Sequence, residues 1–181
     1  MYGIVNKAIQ GLVTENYGEA TWHQIKETSG VQIDSFLSSE SYPDETTYQL
    51  AGAASQVLQT PVEDILIAFG EYWILKTATR GYGSLLSAGG NSFREFMINL
   101  PSFHGRVMLV YPELQPPQFK VTDVEENSLN LHYYSDRPAL HHFVEGLIQG
   151  LGKMFDTSLT IELLESRDAG SDHEVFNVTW S

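Results

Sequence analysis

The chain has 181 residues, with 23 Asp and Glu against 10 Lys and Arg, a formal charge of −13, 42% hydrophobic residues and no cysteine. That supplies one domain with a sizeable core, while the acidic surplus repels nucleic acid and anionic lipid. The missing thiol excludes disulfides, thiolate metal ligation and covalent cofactor attachment through Cys-x-x-Cys-His. No apolar run is long enough to span a bilayer and no signal-like segment opens the chain, so a soluble, cytoplasmic protein is expected.

The first two-thirds read as helical. Ile4, Val5, Ala8, Ile9, Leu12 and Val13 recur at helical spacing until Gly18. A short helix runs through Trp22, Ile25 and Lys26 to Gly30. Ser41-Tyr42-Pro43-Asp44 is a cap signal for a helix through Tyr48, Leu50, Ala54 and Leu58, with Asp44 a candidate N-cap. Thr60-Pro61 starts the next helix, through Leu66, Phe69, Trp73 and Thr77, with Glu63 and Asp64 suited to its dipole. Gly81 to Gly90 reads as a loop with a short helical turn. Ser92 caps a helix carrying Phe93, Phe96, Met97, Leu100 and His104 toward Val110.

After Gln115-Pro116-Pro117 the period changes to two. Phe119 to Thr122 and Leu129 to Tyr133 alternate around a turn at Glu125 to Ser128. A helix follows with Leu140, Phe143, Val144, Leu147, Leu151 and Phe155 on one side. Strands at Leu159 to Leu164 and Glu174 to Trp180 close the chain around Asp168-Ala169-Gly170. With no βαβ series, the expected class is α+β: a helical N-terminal part, then a helix and a four-stranded antiparallel sheet.

His104 follows Leu100 by four residues and Phe96 by eight, which places it on the apolar stripe of its helix. A core histidine bonded to a carbonyl is the plain reading. A metal-ligand reading needs a neutral imidazole aimed into a cavity, and Gly105 leaves room for a flat ring. The other histidines suit this less. His23 is on a polar helix, His132 has strand parity opposite Tyr133, His173 falls in an expected exposed turn, and the adjacent His141 and His142 cannot face one pocket.

Tyr133, Ser135 and Arg137 sit at i, i+2 and i+4, so an extended strand sends all three to one face. A phenol, a hydroxyl and a guanidinium fork together suit carboxylates. Leu129 and Leu131 share that parity, so the face is inward and Arg137 needs an anion there. An apolar cavity with one histidine in its wall and a carboxylate clamp beside it suits haem. The plain alternative is an ordinary polar strand edge.

His104 followed about thirty residues later by Tyr133-x-Ser135-x-Arg137, with Pro116-Pro117 between, resembles the H-NOX family, the haem domains of soluble guanylate cyclase and bacterial nitric-oxide sensors. Met1-Tyr2-Gly3 and Gly146-Leu147-Ile148-Gln149-Gly150 are also similar, so the likeness spans the chain. It implies one domain over 1–181, with about 1–62 a helical distal subdomain and about 63–181 the haem-proximal subdomain. It implies non-covalent haem b with His104 on iron. Tyr133, Ser135 and Arg137 would hold the propionates, and Pro117, Val5, Met97 and Leu100 would contact the haem. Asp44 would tie the subdomains together through the clamp Arg.

The distal gas pocket implied by the family comprises Trp73, Ile74, Phe143 and Val144, with Leu66 as a further apolar wall. Phe143 falls where oxygen-binding relatives carry a Tyr. A phenyl ring donates no hydrogen bond to bound O₂, and this implies a sensor of NO and CO. The implied partner is a histidine kinase or a cyclic-nucleotide signalling enzyme such as a diguanylate cyclase, with no catalytic residue in the domain itself, no nucleic acid and no membrane. An O₂-binding haem sensor, through His142 or Trp73, and a haem-free module for a small acid or lipid are the alternatives.

Overall fold

Apolar spacing of three and four builds the N-terminal layer. The computed structural model describes residues 1–110 and 116–181; Gln115, in the break expected before the sheet, lies outside them. Helix α1 (Gly3–Tyr17) ends at Gly18, whose φ of 87° needs a residue without Cβ. α2 (Glu19–Ser29) ends at Gly30 in the left-handed region, and α3 (Asp44–Leu58) and α4 (Val62–Tyr72) each follow a proline. Ala8, Ile9, Val13, Trp22, Ile25, Leu50, Ile65 and Phe69 from these four helices bury one core.

α4 does not stop at Tyr72. It runs on as a wide π-helical stretch, Trp73–Ala78, where the Thr79 hydroxyl donates to the Ile74 carbonyl at 2.8 Å. The segment expected to be mostly loop instead forms α5 (Thr79–Ser87), kinked at Tyr82. Gly81-Tyr82-Gly83, expected as a turn, therefore lies within that helix. Propensity failed because the preceding helix had already fixed the chain's direction. α6 (Phe93–Val110) starts where Ser92 accepts from the Glu95 amide at 3.2 Å. Pro101 withdraws one donor from its ladder a turn before His104.

Strands β1 (Gln118–Thr122), β2 (Ser128–Tyr134), β3 (Leu159–Glu165) and β4 (Glu174–Trp180) form an antiparallel sheet of order β1-β2-β4-β3. Leu129, Leu131 and Tyr133 alternate inward on β2, beside Phe176 and Val178 of β4. This face meets Ile74, Phe93, Phe96, Met97, Leu100, Val144, Ile148 and Leu151 in a second core. Helix α7 (His141–Met154) lies between the sheet and α4.

The α4–α7 contact is made by backbone. A Cβ on Gly146 would stand 2.1 Å from the Ile67 carbonyl oxygen, and one on Gly70 would stand 2.3 Å from that of Phe143. Lys153 of α7 also pairs with Glu71 of α4 at the surface. Gly146→Ala is expected to force the helices apart and cost about 1–3 kcal/mol, seen as a fall of roughly 2–10 °C in Tm. Gly52→Ala in α3 meets nothing within 4 Å and should be neutral or raise stability by up to about 1 kcal/mol. Equal losses at both positions would contradict a backbone-to-backbone contact.

Candidate haem site

α6 presents His104 to β1. Its ring stacks on Phe119 at a centroid distance of 5.2 Å, with Phe103 6.0 Å away, and Phe119 in turn lies 5.5 Å from Tyr133. Leu100 and Met97, one and two turns earlier, are buried. Burial pushes the imidazole pKa down to about 4, partly offset by the Pro117 main chain beside it. The ring is therefore neutral at pH 7. Its Nδ1 is buried with no hydrogen-bond partner among the described residues. A neutral imidazole nitrogen without a partner, among apolar rings, fits an axial ligand to haem iron.

The second half of the site lies at the end of β2, where the structure departs from the simple strand. β2 stops at Tyr134, and the Ser135 hydroxyl then accepts from the Arg137 amide at 3.1 Å. Only Tyr133 keeps the inward strand position, at 2% exposure. Burial raises its phenol pKa, offset by a hydrogen bond with Ser135. Ser135 and Arg137 are thus placed by a turn, because Ser135 satisfies backbone locally beyond the strand end. Ser135 and Arg137 line a cavity of about 410 Å³ with Asp44, Tyr48, Pro116, Pro117, Gln118, Tyr134, Asp136 and Pro138. Pro117 thus lies at both His104 and the clamp.

Asp44 is the first residue of α3 and makes no side-chain cap. Its carboxylate accepts from Arg137 Nε at 2.7 Å and also pairs with the Met1 ammonium. Burial opposes ionisation, but hydrogen bonds from Met1 and Arg137 and their charges outweigh it, leaving the Asp44 pKa below the usual carboxylate range. Tyr48, one turn on, donates to the Pro138 carbonyl at 2.9 Å.

On the other side of α7, Phe143 packs on Phe69 at 4.7 Å and lies 6.5 Å from Trp73. His142 instead has its ring 4.1 Å from His141 and its Nδ1 3.8 Å from Glu145. Ile74 and Val144 belong to the core that meets His104's helix, whereas Val5 packs in the N-terminal core and Leu66 joins Ala51 and Leu140. These pocket walls are thus split among three clusters. A separate apolar cavity of about 330 Å³, lined by Ile9, Val13, Ala54, Leu66, Phe69 and Tyr72 among others, had no counterpart in the sequence reading.

Two further features lay outside that reading. Arg167 and Glu174 pair directly behind the clamp. Glu174 shares the inward parity of Phe176 and Val178, and a buried carboxylate there was a legible demand for a cation. His173, expected in an exposed turn, has a side chain only 12% exposed, with Nε2 2.8 Å from His132 Nδ1 and its ring on Tyr134. Among the described residues no group of three or more His, Asp or Glu is arranged to hold a metal ion, and no helix is long and apolar enough to cross a membrane.

Helices packed on a four-stranded antiparallel sheet, with a buried histidine of α6 stacked on β1 and an arginine-lined cavity at the end of β2, fit a haem-binding class of domain. Residues 2–163 match the Haem-NO-binding family, and the chain belongs to it. This family binds haem and senses gas, and the domain is sensory rather than catalytic. Soluble guanylate cyclase gcy-31 of Caenorhabditis elegans is 28% identical over 98% of this chain and 26% of its own length. The soluble guanylate cyclase subunit beta-2 of Rattus norvegicus is 36% identical over 65% of this chain and 18% of its own. The chain thus spans about a quarter or less of these curated relatives.

Among solved structures, an H-NOX protein from S. oneidensis in the Fe(II)NO state superposes with a TM-score of 0.89 at 22% identity, covering 100% of this chain and 99% of the other. The unliganded Fe(II) H-NOX protein from K. algicida gives 0.86 at 24% identity, covering 100% and 97%.

The doubly paired Asp44 carries a pH signature. Its depressed folded pKa means that the stabilisation is present above the unfolded value of about 3.9 and is lost as pH falls through the folded value. Asp44→Asn should therefore lower the urea midpoint at pH 7 and match wild type near pH 2. A variant deficit that persists unchanged at pH 2 would refute the ion-pair account.

Proposed function

We propose that this chain is a ferrous-haem sensor of nitric oxide and carbon monoxide, with haem b held non-covalently between α6 and the end of β2. The observation that carries the reading is the buried, partnerless His104 nitrogen joined through Phe119 and Pro117 to a carboxylate clamp. When bound, haem supplies an open coordination position for a diatomic gas.

The chain's own residues do the rest. His104, kept neutral by its apolar surroundings, would hold the iron through a ring nitrogen. Arg137, with Ser135 and Tyr133, holds the two propionates, while Asp44 fixes the guanidinium from α3. Met97, Leu100, Val5 and Pro117 would contact the haem. Phe143, Trp73, Ile74 and Val144 wall the gas side and exclude water. A shift of α6 against β1 would be passed by the Arg137–Asp44 link to the N-terminal helices of about 1–62. Gas binding thus biases a two-state element. The output is an altered surface read by a histidine kinase or a cyclic-nucleotide signalling enzyme. A cytoplasmic location fits the acidic, cysteine-free composition.

Selectivity for NO over O₂ is supported by Phe143 facing Phe69 and Trp73 while His142 turns toward His141. A phenyl ring has no donor for the partial charge on bound O₂.

His104→Ala should lose haem from the purified protein and regain it when imidazole is supplied. Full haem content with an unchanged spectrum and no imidazole would overturn the ligand assignment. Arg137 is 26% exposed, so Arg137→Ala should weaken haem retention by about 2 kcal/mol, the low end for a desolvated charged pair.

Ferrous wild type in air should show no stable oxy spectrum, yet it should shift on adding NO or CO. Phe143→Tyr is expected to create measurable O₂ binding. A stable oxy complex in wild type would reassign the protein as an oxygen sensor.

A further inference from the structure

Behind the clamp stands an ion pair that no part of the reading above employs. Glu174 is 2% exposed and sits opposite Tyr133 in the β2–β4 register. A buried carboxylate at that place faces the very strand end that would receive two more carboxylates. Left alone, its charge would repel them and would itself be costly to bury.

Arg167 answers both problems with one guanidinium. Its Nε donates to both Glu174 oxygens at 2.8 and 3.1 Å. Its Nη1 donates to the Ser135 carbonyl at 2.6 Å and its Nη2 to the Arg137 carbonyl at 3.0 Å. The fork therefore neutralises Glu174 with one edge and grips the main chain of two clamp residues with the other. It is held for this by the short turn Arg167–Ala169, where the Ser166 hydroxyl accepts from the Asp168 amide. The charge of Glu174 reaches the clamp: beyond burial and the Ser135 bond, it adds to the rise of the Tyr133 phenol.

We infer that Arg167 is a positioning residue of the carboxylate clamp: it cancels the buried Glu174 charge and fixes the Ser135–Arg137 main chain, so that the site accepts the propionates of haem. This rests on the haem-clamp reading of Arg137 and is tested so that the two stand or fall separately. The rate of porphyrin transfer to an excess of apoglobin is measured for protein loaded with haem and for protein loaded with haem dimethyl ester, which has no carboxylates. Thermal melts of the unloaded variants check folding.

Arg167→Met should speed haem loss about tenfold, equivalent to one decade in affinity, and leave loss of the dimethyl ester nearly unchanged. Adding Glu174→Gln to Arg167→Met should restore part of the retention, the share owed to the repelling charge, while the share owed to the lost main-chain bonds stays missing. Equal acceleration with both porphyrins, or no recovery in the double variant, overturns the inference. If Arg167→Met does not fold, Glu174→Gln alone decides: haem should be held at least as well as in wild type, and faster loss of haem but not of the ester sinks the charge argument. Arg137→Ala is the reference. If it discriminates between the porphyrins and Arg167→Met does not, the clamp stands and only Arg167's part fails. If Arg137→Ala does not discriminate, the clamp reading falls and this inference falls with it.

Discussion

Arg137 and Asp44 are 93 positions apart in sequence and 2.7 Å apart in space, and the arrangement of the site depends on that meeting. A half-buried guanidinium needs an anion, and a half-buried carboxylate needs a cation. Satisfying both fastens the first turn of α3 to the end of β2. The Met1 ammonium on the same carboxylate draws the start of α1 to the same point. Three segments remote in sequence are thereby held at one electrostatic junction beside the cavity that the clamp lines.

A second chain of contacts leads from that junction to the histidine. Tyr133 touches Phe119, and Phe119 stacks on His104. Rings pass displacement well because close-packed interiors deform little before they rearrange. α6 carries a proline, Pro101, within its length and so lacks one backbone donor a turn before His104. The site thus combines an anchor of charges with a helix whose ladder is interrupted, and the histidine stands on that helix.

Much of this was legible in the sequence because it was periodic or terminal. Apolar spacing marked the helices and their glycine ends, and alternation marked the strands and the inward side of Tyr133. The histidine and the clamp triplet stood out by a chemistry unlike that of their neighbours, and the tie through Asp44 came from the family resemblance. What escaped detection was set by tertiary context. The helix over Thr79–Ser87 is propagated from the π-helical stretch before it, against its glycines. The strand ends at Tyr134 because Ser135 finds its own backbone. Arg167 lies in a turn whose partners come from two other segments, although inward Glu174 announced that some cation had to arrive. Asp44 had two local roles open to it, and only the arrival of Arg137 from across the chain decides against the cap.

The glycine crossing of α4 and α7 bears on which substitutions the domain accommodates. Gly70 and Gly146 set the distance between these helices through main-chain atoms, so the frame owes little to the side chains displayed on either side of the crossing. Phe143 packs on Phe69 across the crossing, with Trp73 beside it, and adds side-chain contact to a spacing the glycines already set. A new side chain at Phe143 or Trp73 would alter that packing and leave the main-chain contact beneath it in place, whereas a Cβ at Gly70 or Gly146 would meet backbone directly.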